Sequence, residues 1–159
     1  MNQKSLSRWL KTIIAGMVVC GGILYLYAIP LLGRDAVASF PEYANCYEPW
    51  LWIIWGSGIP CYLVLYFGWK IVTEIEKDNS FSMINAKYLK KISILALADS
   101  AYFFVANLIF MMLGMNHPGL FLGSLFVVFA GVAVAVVTAA LSHLVQKAAK
   151  LKEENELTI

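Results

Sequence analysis

Apolar residues in this chain gather into four long, almost unbroken blocks: Ile13 to Leu32, Trp50 to Trp69, Ile92 to Met115 and Gly119 to Val145. A helix needs about 20 such residues to cross the hydrocarbon core of a bilayer. Barrel strands would be short segments of alternating polarity, and these blocks do not alternate. Helices are then the spanning form left that satisfies every backbone N–H and C=O within lipid. The pattern predicts an all-α membrane protein: a single domain, 1–159, built as a four-transmembrane-helix bundle with helices at about 9–32, 49–72, 82–115 and 119–150.

Polar positions fill the gaps and both ends. Between the second and third blocks lies "IEKDNSFSMINAKYLKK", Ile75 to Lys91, inside a predicted loop at 73–91. After the fourth block a polar tail occupies 146–159, ending "KEENELTI". Gly33 to Glu48 makes a short outer connection, and "NHPG", Asn116 to Gly119, makes a tight one that forces helices three and four into an antiparallel hairpin.

Charge then sets the orientation. Of the 12 Lys and Arg residues, only Arg34 falls in the two connections at one end, and the other eleven lie at the opposite end. Basic residues mark the cytoplasmic side of short loops. Both termini and the 73–91 loop are therefore expected in the cytoplasm of a cell whose inner membrane the chain spans. Lys4, Arg8 and Lys11 before the first block resemble the start of a signal peptide, but the apolar run exceeds the 7–15 residues of a signal core.

Composition agrees: 60% of residues are hydrophobic and 14% charged, against about a quarter charged in soluble domains. The three cysteines, Cys20, Cys46 and Cys61, have neither metal nor redox spacing. His117 and His143 belong to opposite membrane faces and cannot share a metal. No phosphate-binding glycine loop and no nucleophile with a neighbouring base is present. The sequence thus calls for no cofactor, no metal, no enzymatic activity and no direct nucleic-acid binding.

Inside the blocks, "GSGIP", Gly56 to Pro60, predicts a kink near mid-membrane, since proline removes one helical hydrogen bond. Pro30 is expected to kink or end helix one. Ser82 is a suitable N-cap for helix three. Gly123, Gly131, Ala135 and Ala139 recur at multiples of four along helix four. Small residues let membrane helices approach closely, within the bundle or as a homodimer seam through helix four.

Asp99 is the one acid well inside an apolar block. A buried acid usually faces the bundle interior or a cavity. Depth matching places Tyr62, Thr138 and Ser142 at its level as hydroxyl donors. Ser93, Ser100, Asn107 and Gly114 add a polar stripe with a seven-residue spacing. Asp99, Ser100, Asn107, Tyr62, Thr138 and Ser142 form the candidate intramembrane polar site. It reads either as a path for a proton or ion, or as hydrogen bonding that holds the helices in register.

Two polar stretches also carry a resemblance. "NSFSMINAKYLKKI" leading into a membrane helix, with a chain ending "LKEENELTI", resembles the bacterial family called domain of unknown function 2975. Phe81, Ser82, Asn85, Lys87 and Leu89 fit that family's loop pattern, while Ser80 stands where proline is common and Ile84 where an acid is common. The resemblance implies a small four-helix membrane protein and, as a candidate partner, a cytosolic helix-turn-helix regulator. Phe81, Ser82, Asn85, Lys87, Lys90, Lys91, Glu153, Glu154, Asn155 and Leu157 make up the candidate docking surface. The tail is expected to clasp the loop, with Leu157 or Ile159 covering Phe81, Met83 or Ile84. Two functions stay open: a non-enzymatic docking or regulatory protein, and a small transporter or channel component with a path near Asp99 and Asn107.

Overall fold

A computed structural model describes residues 3–156. Helix α1, Gln3–Ile23, passes through a π-helical turn, Leu24–Ala28, into α2, Ile29–Ser39. A 3-10 turn, Pro41–Cys46, leads into α3, Tyr47–Glu76, followed by α4, Met83–Met112, and α5, Pro118–Glu156. No strand occurs among the described residues. Four rods result that are long and apolar enough to cross a membrane: Gln3–Ser39, Pro41–Glu76, Met83–Met112 and Pro118–Asn155.

The rods are longer than the apolar blocks predict, and the connections shorter. Pro30 does not end the first one. The Ile29 N–H bonds to the Leu24 carbonyl, five residues back. A π-turn is the wider coil that makes room where the four-residue ladder fails, so the helix continues to Ser39. The predicted 73–91 loop shrinks to Lys77–Ser82, because its two flanks belong to α3 and α4. As far as Glu156 the polar tail continues α5 as helix.

Both tight turns use one device. At the end of α3, Asn79 N–H bonds to the Glu74 carbonyl (3.0 Å) and Asp78 N–H to the Ile75 carbonyl (3.1 Å), with Asp78 left-handed at φ 60°. At the end of α4, Met115 N–H bonds to Phe110 O (2.8 Å) and Gly114 N–H to Met111 O (3.2 Å), with Gly114 at φ 69°. These paired bonds are the Schellman closure, which satisfies last-turn carbonyls and needs a left-handed residue. Glycine is the natural choice there, and aspartate is one of the few side chains that tolerates it.

The helices stand in a row. The α1–α2 rod packs on α3, α3 on α4 and α4 on α5. Among the described residues no Cα pair comes within 8 Å between α1 and α4, α1 and α5, or α3 and α5. The core is therefore a set of seams, and most of it lies along α4, which has a neighbour on each side. Its densest part is small and polar. Ser93 Oγ donates to the Ala135 carbonyl (2.8 Å) and Ser142 Oγ to the Ala86 carbonyl (2.7 Å), stitching α4 to α5. A Cβ on Gly131 would collide with Ser100 Oγ, so an alanine there would force that hydroxyl away from the Ala96 carbonyl.

Candidate functional site

Asp99 faces α3, not α5. Its Oδ2 accepts from Ser57 Oγ at 3.0 Å and from the Cys61 thiol at 3.8 Å. The Tyr25 hydroxyl donates to Cys61 Sγ at 3.7 Å, and Trp55 Nε1 holds the Tyr25 carbonyl at 2.9 Å. One polar chain thus crosses three elements: Tyr25 in the π-turn, Ser57 and Cys61 on α3, and Asp99 on α4. Ser57 and Cys61 share a face because they are four residues apart. Ser57 lies within the Gly56–Pro60 stretch and Cys61 directly follows it, on a helix that runs on through Pro60. Pro60 carries no N–H, so the Gly56 carbonyl lacks the donor a regular helix would supply. Asp99 Oδ1 is buried and has no hydrogen-bond partner among the described residues.

Three expected partners of Asp99 are elsewhere. Tyr62 has the right depth but lies one residue from Cys61, about 100° around the helix. Its hydroxyl donates to the Val18 carbonyl of α1 at 3.0 Å. Thr138 bonds to its own helix at Val134 and Ala135, and Ser142 reaches Ala86. The α4–α5 register explains both. Ser100 lies against Gly131, so the level of Asp99 on α5 is near residue 131, about two to three turns from Thr138 and Ser142.

Apart from Ser93, which reaches the Ala135 carbonyl of α5, the polar stripe makes local ties. Ser100 is buried and donates to its own Ala96 carbonyl (2.7 Å). Asn107 is also buried and donates to Phe103 O (2.8 Å), while Asn116 Nδ2 donates to Asn107 Oδ1 (3.2 Å). Asn107 therefore clasps the α4–α5 turn, two turns away from Asp99 along α4. Of the small-residue stripe, Gly131 and Ala135 face α4, whereas Gly123 is exposed, with open space where a Cβ would stand, and Ala139 is exposed. Steps of four residues advance about 40° each around a helix, so such a stripe winds off one face.

At the basic end, the α3–α4 turn is rigidly built. Ser82 caps α4, its Oγ accepting from Asn85 N (3.3 Å). Asn85 Nδ2 donates to the carbonyls of Asn79 (3.1 Å) and Ser80 (2.9 Å). Glu74 accepts from Lys77 Nζ (2.9 Å) and Asn79 Nδ2 (3.0 Å). Lys77 is held above the ordinary lysine pKa, first by that hydrogen bond and then by the charge of Glu74. Asn85 is 1% exposed, which corrects its place on the docking surface: it shapes the turn and cannot touch a partner. Phe81 and Ile84 are left 61% and 48% exposed. Lys87, Lys90 and Lys91 are exposed on α4, with Lys91 Nζ 5.0 Å from the centre of the Phe67 ring. Glu153, Glu154 and Asn155 are exposed on the last turns of α5. The proposed clasp by Leu157 or Ile159 lies outside the described residues.

Residues 31–159 match the family model described as Protein of unknown function (DUF2975). The chain belongs to this family. It is also 27% identical over 138 residues to the "Uncharacterized membrane protein YoaS" of Bacillus subtilis (strain 168), covering 86% of each chain. No solved structure matches it. Membership and four spanning rods make the chain a multi-pass membrane protein.

Asp99 does accept from a hydroxyl of the second span, but sequence reasoning missed that Ser57, Cys61 and Tyr25 are the groups around it. The signal was there: Ser57 lies inside the quoted break, with Cys61 one turn later on the same face. Among the described residues no group of His, Cys, Asp or Glu has the spacing to hold a metal.

Proposed function

We propose that this is a non-enzymatic membrane protein whose α3–α4 turn, with the end of α5, docks a cytosolic protein. A helix-turn-helix transcription regulator is the candidate that the family resemblance implies. One observation carries the reading: buried Asn85 fixes the turn while Phe81 and Ile84 stand exposed beside it. A preorganised apolar pair spares a partner the cost of ordering the surface. The eleven-to-one distribution of Lys and Arg supports a cytoplasmic position for this end.

The test is a photoreactive residue in place of Phe81, irradiated in native membranes and analysed by mass spectrometry, with the chain truncated after Lys150 as control. A discrete soluble protein captured at position 81, and lost with Ile84→Asp, is the expected result. Adducts to lipid alone would overturn the reading.

A second reading, a small transporter or channel component, is favoured by the Asp99 cluster. A carboxyl with a buried, unpartnered oxygen is the kind of intramembrane group that marks ion and proton pathways. Reconstituted vesicles should then show a proton or cation flux that Asp99→Asn abolishes. No flux above protein-free vesicles would remove this reading.

A further inference from the structure

At the end opposite the basic turn, the row of helices leaves a cleft of about 720 Å3. Its back is formed by α3 and α4, with Leu51, Ile54 and Phe103 lining it. One side wall is α2, from Ile29 to Val37, with Phe40 just beyond it, and the other is the start of α5, with Leu120. Tyr43 and His117 stand among the lining residues from the connections. No Asp, Glu, Lys or Arg lines the cleft among the described residues. Trp50 braces the back: its Nε1 donates to the Met115 carbonyl at 3.2 Å, and its ring meets Phe110 edge-on at 5.0 Å.

Three features decide what fits. The side walls do not meet: no α2–α5 Cα pair lies within 8 Å among the described residues. The two walls are thus not packed against each other, which leaves a gap through which a lipid chain can enter. Leu51, Ile54 and Phe103 belong to the apolar blocks, so the cleft reaches into the outer half of the hydrocarbon core, while α2 beyond Leu32, with exposed Arg34 and Asp35, rises above it. The volume is too small for a helix. At a diameter of about 10–12 Å, a helix would fill it in fewer than two turns. Water is disfavoured as well, because a buried water needs two to four polar partners and these walls offer few. An empty cleft would forfeit dispersion contacts along its whole lining.

We propose that the cleft is a lipid site that holds one acyl chain of a phospholipid from the leaflet at the Tyr43–His117 end. Hydrocarbon tails are as apolar as the walls, so the chain is held by shape and dispersion, not by escape from water. The site takes a flexible tail where it excludes a helix.

The experiment reconstitutes the full chain in nanodiscs of phospholipid doped with a phospholipid carrying a diazirine in its acyl chain. After irradiation, adducts are mapped by mass spectrometry. Phe126 and Phe129, 78% and 74% exposed on α5, report ordinary bilayer contact. Labelling of Leu51, Ile54 and Phe103 at or above that level is expected, although all three are less exposed. Val37→Phe, which fills the cleft from α2, should lower cleft labelling several-fold and leave Phe126 and Phe129 unchanged. If that variant fails to fold, Leu120→Trp fills it from the opposite wall. Labelling that merely follows exposure, or that neither filler alters, overturns the proposal. So does a crosslink from the cleft residues to a second copy of the chain.

Discussion

Asp99 and Gly131 show what single residues do in a seam-built protein. Ser57 and Cys61 both donate to one carboxylate oxygen. Asp99→Asn keeps an acceptor in place and should leave the fold intact. Asp99→Leu strands the Ser57 hydroxyl and should lower stability by about 1–2 kcal/mol, read as a shift in unfolding midpoint in detergent. Equal midpoints for the two variants would contradict the hydrogen-bond account. Gly131→Ala should cost about 1–3 kcal/mol through overpacking against Ser100, and much less in a Ser100→Ala background. Equal costs in both backgrounds would mean that Ser100 is not the obstacle. At this scale the sequence was only half legible. A lone acid in an apolar block announces itself, but its partners depend on which faces of two helices meet. One residue of rotation separates Cys61, which bonds to Asp99, from Tyr62, which bonds to Val18.

Among the elements, the α3–α4 turn is where local chemistry is densest. Asn85→Ala removes two donors to turn carbonyls. The amides of residues 79–82 should then exchange several-fold faster by hydrogen–deuterium mass spectrometry, while those at mid-membrane in α4 stay protected. No change at 79–82 would show that the Schellman closure suffices alone. Ser82 as the cap was readable, because serine ahead of a helix is a strong local signal. So was the length of the third span, expected at 82–115 and found at Met83–Met112, but the ends of the other three were not. Apolar blocks mark what lipid requires, whereas the helices run on into polar sequence until a left-handed residue stops them. The passage through Pro30 was illegible for a related reason: a π-turn has no residue code of its own, and it depends on the Ile29–Leu24 bond.

For the whole molecule, four spans and the class of fold followed directly from hydropathy, since lipid permits few backbone solutions. Orientation rests on basic residues. Reporter fusions at Ile159 and near Ala38 should report opposite sides of the membrane, and matching signals would refute that topology. What hydropathy could not foretell is the row, because apolar faces look alike whether they meet lipid or protein. Arrangement in a row bears on how the chain is made. Every seam joins rods that are consecutive along the polypeptide, so each rod finds its partner already in the membrane when it emerges from the ribosome. None has to wait for a later arrival. Contacts between consecutive segments keep the entropic cost of closure low, and a truncated chain released after any rod would carry complete seams rather than half of a core.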